Sequence, residues 1–383
     1  MGLPREGETA SFILPLRYFA AHRWYMDSVT QIALGAGITG ALLGKHYGRK
    51  AILAGAVLGT LPDMDVVVSH ADSLTAMISH RGFSHSVFVL TAASLALAMA
   101  CLRLADKPGG PGRLKLFLAI WLALVTHPIL DAFTAYGTQL FWPLKPTPAS
   151  WSSIYIIDPF FTLPLLLAML WFAIRGYSPG RAKALNWTLA WCVAYLALSL
   201  GFKHVVETRV REQLQAQGHR IVGMFSTPQP FNILLWRVVA RADDGTYHEA
   251  VRSVLDSGPT ESMQHPLHPE LANVQSQPMQ GLRWFSGDWV RYDEVDGVLV
   301  VSDLRMGFAA GFYTFRFIVA ERDPETGQWR AVTPMHLRRD HGVDQLGRLM
   351  RRIWQPSPPL PLEAWAQQAL PSSPRELLPA QSR

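Results

Sequence analysis

Leu61-Pro62-Asp63-Met64-Asp65, His80-Arg81-Gly82-Phe83-Ser84-His85-Ser86 and His127-Pro128-Ile129-Leu130-Asp131, with Thr134 close behind, are three polar clusters set into otherwise apolar sequence. Ionisable side chains are costly beside hydrocarbon, so carboxylates and imidazoles placed there point to function. Asp and His are also the oxygen and nitrogen donors that zinc and related divalent ions take. The stretch from Thr60 to Thr134 therefore reads as a metal site held among membrane helices.

The composition agrees with a chain that partly avoids water. Of 383 residues, 49% are hydrophobic and only 17% charged, against about 25% charged in an ordinary soluble domain. The net charge is +6 and the pI about 9.4. The Lys and Arg residues are scattered through short loops and the C-terminal part, with no basic stripe interleaved with aromatics, so no nucleic-acid partner is expected. Cys101 and Cys192 both lie in apolar runs, which argues against a disulfide or zinc-thiolate framework.

Working outward, Val29–Leu43 is apolar and rich in Gly and Ala, and small residues let membrane helices approach closely. Ala51–Leu61, Val87–Leu102, Leu116–Leu130, Ile154–Ile174 and Leu185–Phe202 are further apolar runs. A crossing needs about twenty apolar residues, and several of these runs are shorter or broken by Gly or Pro. The pattern predicts an α-helical polytopic membrane domain over residues 26–206, with about six helices, some short or half-inserted. Residues 1–25 are expected to be an N-terminal extension, with Met26-Asp27 as a fresh start. The basic loops Lys45–Lys50, Arg103–Lys115 and Arg175–Lys183 alternate with the polar clusters. Positive loops stay cytoplasmic. The clusters and Asp158 then share the opposite face, the periplasm of a bacterium, although Arg17 and Arg23 run against this arrangement. Trp142 and Trp151 suit interfacial anchors.

After Glu207 the character changes. Asn232–Ala240 and Tyr247–Leu255 read as strands around the turn Asp243-Asp244-Gly245, and Gly297–Leu304 and Phe312–Val319 as two more, with Glu325-Thr326-Gly327 as a later turn. A small, mainly antiparallel β soluble domain is expected over residues 207–345, with Trp284, Phe285 and Trp289 in its core, facing the periplasm. Residues 346–383 hold many Pro, Ser and Gln and read as a loose tail.

His127 and Asp131 are four apart and share one helix face, with Pro128 disturbing the helix between them. Asp63 and Asp65 can converge in a turn, which Pro62 favours by keeping Leu61 out of helical geometry. Asp65, His80, His127 and Asp131 are the expected primary metal ligands. Asp63 and His85 would complete a second ion or act as base and acid, and Arg81 would hold a phosphate or carboxylate through its planar fork. Six donors suffice for two ions that clamp attacking and leaving oxygens, with a bound water ionised near neutral pH as nucleophile. The cysteine-free set suits zinc foremost, with manganese or iron as alternatives. Asp158, before Pro159, is either a support for the site or a helix cap.

In this order, the three clusters, together with Leu140-Phe141-Trp142-Pro143, resemble the YdjM-like family of bacterial inner-membrane metal-dependent hydrolases across residues 26–205. His80–Ser86 is the most specific part, and the longer members with a soluble C-terminal part are similar throughout. The resemblance implies an integral membrane protein with a divalent-metal site. It also implies distant kinship with zinc-dependent phospholipases C and single-strand-specific nucleases, all-helical enzymes that bind zinc through His and Asp, including an H-x-x-x-D pair. Many relatives carry Thr-His where this chain has Thr30-Gln31, so Gln31 would weaken or remove one metal position. The expected function is an inner-membrane metal-dependent hydrolase acting on a phosphoester or other ester of a lipid or envelope substrate. The alternative is a non-enzymatic, metal-stabilised membrane scaffold or regulator with the β domain as its binding surface. Neither paired repeats nor an acidic relay supports a transporter.

Overall fold

The computed structural model describes residues 25–274, 276–308, 312–337, 342–355 and 362–363. The expected extension up to residue 24, Arg17 and Arg23 with it, and most of the expected tail lie outside the described residues.

Glycines bring the first two helices into backbone contact. Helix α1 (Tyr25–Tyr47) turns at Gly48 into α2 (Arg49–Thr60). An added Cβ at Gly55 would lie 1.9 Å from Thr39 Oγ1 and 2.2 Å from the Gly35 carbonyl, and one at Gly59 would lie 2.5 Å from the Gln31 carbonyl. Only hydrogen fits there. The same closeness lets Thr39 Oγ1 donate to the Ala51 carbonyl at 2.7 Å. Ala33, Leu34, Ala36 and Ile38 of α1 are buried, because α1 is the element against which the other long helices pack.

After α2, residues Pro62–Val67 form a 3-10 turn. Helix α3 (Ser73–Ser79) begins at Asp72, whose Oδ1 accepts from the Leu74 and Thr75 amides at 2.9 and 2.8 Å. A second 3-10 turn, Phe83–His85, leads through the Ser86 cap into α4 (Val87–Ala100). Then come α5 (Arg113–Ala132), α6 (Pro159–Arg175) and α7 (Pro179–Ala216). Asp158 and Ser178 accept the first amides of the last two, and such caps each contribute about 1 kcal/mol.

The six apolar runs form the helices α1, α2 and α4 to α7, some of them short as expected, but they do not amount to six clear spans. Among the described residues, α5 and α7 are long and apolar enough to cross a membrane, and the α3–α4 pair, bent by 43°, adds a third if it is one broken span. Helix α6 has 17 residues and α2 has 12. Helix α1 is long enough, but its Gly, Thr, Gln31 and Lys45 lower its hydropathy. These helices still share a polarity. At one end the basic loops meet: Tyr47 donates to the Leu104 carbonyl at 2.7 Å, His46 Nδ1 lies 2.8 Å from the Gly109 carbonyl, and Arg49 donates to the Ile174 carbonyl. The acidic and histidine clusters gather at the other end.

Helix α7 runs on through residue 207 without a break, and its last turns carry the β region. Val206, Val210 and Leu214 pack with Ile221, Trp236, Val238 and Ala240. The first sheet is β1 (Ile221–Pro228), β2 (Leu235–Ala242), β3 (Thr246–Ser253) and β4 (Glu261–Pro266) in that order, all antiparallel. The predicted turn Asp243-Asp244-Gly245 joins β2 to β3. Helix α8 (Gln277–Ser286) precedes the second sheet. That sheet uses β5 (Val290–Val295), β6 (Val298–Asp303), β9 (Arg316–Arg322) and β10 (Trp329–His336), in the order β10-β9-β6-β5, with a two-residue pair, β7 (Gly307–Phe308) and β8 (Phe312–Tyr313), between. The predicted strand Phe312–Val319 is thus split between β8 and β9. Phe285 is buried, while Trp284 and Trp289 are only partly so. Leu74 and Met77 of α3 lie in one apolar cluster with Leu282, Phe285, Phe315 and Phe317. The second sheet therefore rests on the segment between the first two polar clusters.

Candidate metal centre

Four side chains from three elements converge at the polar end of the helices. The turn after α2 presents Asp63, the turn before α4 presents His85, and α5 presents His127 and, one turn later, Asp131. His85 Nε2 lies 3.4 Å from Asp63 Oδ1 and 3.2 Å from Asp131 Oδ2. His127 Nε2 lies 3.2 Å from Asp63 Oδ1, 3.5 Å from Asp131 Oδ2 and 3.2 Å from His85 Nε2. A tetrahedral ion with bonds of 2.0–2.1 Å has ligand–ligand edges of about 3.3 Å. Five of the six edges of this group thus have the length that such an ion requires.

The donors are prepared for a cation. His127 Nδ1 is 2.6 Å from the Gly59 carbonyl, which can only accept, so the proton belongs on Nδ1 and the Nε2 lone pair faces the group. His85 Nδ1 is 2.9 Å from Ser84 Oγ, which donates to Asp65 Oδ2 at 2.9 Å, so the Asp65 carboxylate supports this imidazole through the hydroxyl, as outer partners support metal-binding histidines. Asp131 is divided: Oδ1 accepts from Gln31 Nε2 at 3.0 Å, while buried Oδ2 points into the group and accepts no well-aligned hydrogen bond. Gln31 also donates to the His127 carbonyl at 3.3 Å. His85, His127 and Asp131 are at most 1% exposed, and Asp63 is 18% exposed.

The remaining predicted residues form a layer around these four. Asp65 Oδ1 is 3.0 Å from His80 Nδ1, and Oδ2 accepts from the Arg81 amide at 3.1 Å and Ser84 Oγ at 2.9 Å. Asp65 and His80 thus stand beside the convergent group, while Asp63 and His85 stand within it. The cause is local. In a 3-10 turn, residues two apart point to different sides, and Arg81, at φ 62°, redirects the chain between the two histidines. The Arg81 guanidinium is buried, with Nε 3.2 Å from Asp131 Oδ2 and Nη1 donating to Thr134 Oγ1 at 3.2 Å. Asp158 caps α6 and accepts from the Tyr195 hydroxyl at 2.8 Å, apart from the group.

Two contributors carry no signal in the sequence. The Gly59 carbonyl is a backbone group. Tyr136 lies outside the three motifs, yet its hydroxyl donates to the Met77 carbonyl at 2.7 Å, its ring is edge-on to His80 with centroids 5.8 Å apart, and the Arg81 guanidinium lies 5.0 Å from its centroid. Phe285 and Phe315 of the β region flank it at 5.5 and 5.6 Å. Tyr136 therefore links the second sheet to the residues behind the metal ligands. Tyr136→Leu is expected to lower metal affinity by about tenfold, the size of effect seen for outer partners of metal ligands. Tyr136→Phe, which keeps the ring, should stay within a few-fold of the native protein in a zinc titration. Equal affinity in all three would remove Tyr136 from the site.

Residues 26–206 match the family model described as YdjM inner membrane protein. The uncharacterized protein YfhP of Bacillus subtilis (strain 168) is 27% identical over 234 residues, which cover 58% of this chain and 67% of that protein. No solved structure matches.

Proposed function

We propose that the chain, which matches the YdjM inner membrane protein model over residues 26–206, is an inner-membrane protein of that family and a metal-dependent hydrolase acting on a phosphoester or other ester of a lipid or envelope substrate. The observation that carries the reading is the convergence of Asp63, His85, His127 and Asp131, whose ligand atoms all lie within 4.8 Å of one another. Such an ion, zinc foremost and manganese or iron otherwise, would supply Lewis acidity and a water ionised near neutral pH.

The roles follow from burial. His85, His127 and Asp131 are the fixed ligands. Asp63, the most exposed and on a short turn, would hold the ion as a fourth ligand or serve as the base for a water. His80 is 23% exposed and paired with the Asp65 carboxylate, so it can deliver a proton to a leaving oxygen. Arg81 keeps Asp131 oriented and adds positive charge that favours an anionic group. The positive-inside rule assigns the basic end to the cytoplasm and the site and β region to the periplasm. A C-terminal alkaline phosphatase fusion should then be active, and an inactive, stably expressed fusion reverses the assignment.

A second reading has its own support. Four protein ligands are the usual set of a structural zinc site, which suits a metal-stabilised scaffold. Purified protein, His127→Ala and His80→Ala are to be compared by elemental analysis and by hydrolysis of chromogenic phosphomonoesters, phosphodiesters and lipid esters. The hydrolase reading expects His127→Ala to lose metal and turnover together. It expects His80→Ala to keep the metal and lose about 100-fold or more in turnover, the scale of general acid catalysis. Native protein with stoichiometric metal and no turnover on any ester would leave the scaffold as the better account.

A further inference from the structure

We infer that the metal centre opens into the hydrocarbon of the leaflet opposite the basic loops, so that its substrate is a membrane-resident amphiphile arriving from within the bilayer. The substrate part of this inference rests on the hydrolase reading; the depth part does not.

Depth comes first. The basic loops meet at one end of the helices. From Arg113 to His127 along α5 is about 21 Å, from Arg49 to Thr60 along α2 about 17 Å, and the whole of α6 about 24 Å, at 1.5 Å per residue. The hydrocarbon core is about 30 Å thick. Asp131 lies about 27 Å from Arg113 along α5. His127 and Asp131 therefore stand short of the far edge of that core, within the far leaflet and close to its surface.

The exposed surface from α2 into the turn that follows it, as far as Val68, is apolar. Leu53, Val57 and Leu61 recur every four residues along α2 and are 67%, 53% and 41% exposed. This stripe continues into Met64, Val67 and Val68, which are 56%, 73% and 56% exposed. Phe83, two residues before His85, is 59% exposed and stacks edge-on against Trp142, with centroids 5.1 Å apart. Asp63, the outermost ligand, lies in the chain between Leu61 and Met64. A contiguous apolar surface of this kind marks an interaction site or a membrane contact. Here it is continuous with helices of spanning length, and acyl chains are the occupant that fits. An ester or phosphate at the glycerol level of a lipid would reach Asp63 by lateral movement, whereas a soluble ester would have to leave water.

The test uses the full-length, zinc-loaded protein in vesicles of phosphatidylethanolamine and phosphatidylglycerol. In a Cys101→Ala/Cys192→Ala background, Val67→Cys and, separately, Phe83→Cys carry a bimane label. Thr326→Cys, in the β9–β10 turn, is the aqueous control. Lipids with a doxyl group high on the acyl chain should quench the first two labels severalfold more than iodide does, and the control should show the reverse. A phosphatidylethanolamine with a diazirine beside its phosphate should crosslink to the peptide spanning Leu61–Val68. Iodide quenching at both Val67 and Phe83, or crosslinks confined to other helices, would overturn the inference. Neither readout uses turnover, so a failure of the hydrolase reading would be seen separately.

Discussion

Asp131→Ala is expected to empty the metal centre and to destabilise the helices even where no metal is present. The two effects have different origins. Asp131 Oδ2 faces His85 and His127 at 3.2 and 3.5 Å, so its removal takes one ligand from the group. The same oxygen lies 3.2 Å from Arg81 Nε, and both side chains are at most 3% exposed. Alanine takes the Asp131 carboxylate away from that buried guanidinium, and breaking a buried pair in this way costs about 3–5 kcal/mol. Metal adds a second difference: an ion at a thousandfold excess over its Kd stabilises the folded state by about 4 kcal/mol. Unfolding followed in chelator isolates the first effect, and unfolding with added zinc includes both. The native protein should gain stability from zinc and the variant should gain none. Asp131→Asn keeps an acceptor for Gln31 but not the charge, so it should also lose zinc binding. Stoichiometric, undiminished zinc binding by Asp131→Ala would sink the ligand assignment.

How much of this was legible follows from where information sits in a chain. His127 and Asp131 were readable as neighbours because helical spacing alone brings them together. That the three clusters belong to one place was readable from their polarity against apolar surroundings. Which of Asp63 and Asp65, or of His80 and His85, points inward was not, because direction within a short turn depends on dihedrals such as that of Arg81 and not on spacing. The β region shows the same division. The strands read from the sequence correspond to β2, β3, β6 and, in part, β9, all central in their sheets, whereas β1, β4 and β5 are edges. Central strands are buried on both faces and read as apolar runs. Edge strands carry breakers and polar groups, as with Gly223 and Pro228 in β1 and Gln264, His265 and Pro266 in β4. The six apolar runs became α1, α2 and α4 to α7, but which of them cross the bilayer was not legible, for a related reason. Hydropathy does not separate a lipid-facing helix from one buried against its neighbours, and α1 is the latter.

Gly55→Val should cost the protein most of its metal affinity without touching a ligand. At Gly55 an added Cβ meets the Gly35 carbonyl at 2.2 Å and Thr39 Oγ1 at 1.9 Å. The first is backbone and cannot turn aside, so α2 must move away from α1. Overpacking of this kind costs about 1–3 kcal/mol. The larger consequence lies four residues on. Gly59, at the end of α2, holds His127 Nδ1 through its carbonyl at 2.6 Å, and Asp63 follows in the next turn. Metal sites require placement to within about 0.5 Å. A shift of α2 large enough to relieve a 2.2 Å contact therefore breaks the histidine's anchor and displaces one ligand together. The two losses should reduce zinc affinity by about 100-fold, the upper range for disturbed outer partners. Gly201→Val, on α7, is the control, because a Cβ there meets nothing within 4 Å. Zinc titrations of both variants, with unfolding in chelator to separate folding from binding, decide the matter. If Gly55→Val binds zinc as the native protein does, the close approach of α1 and α2 serves packing alone. If it fails to bind and Gly201→Val does not, the small residues of the first two helices are part of the metal centre, and their closeness is what lets a carbonyl on one helix fix the tautomer of a histidine on another.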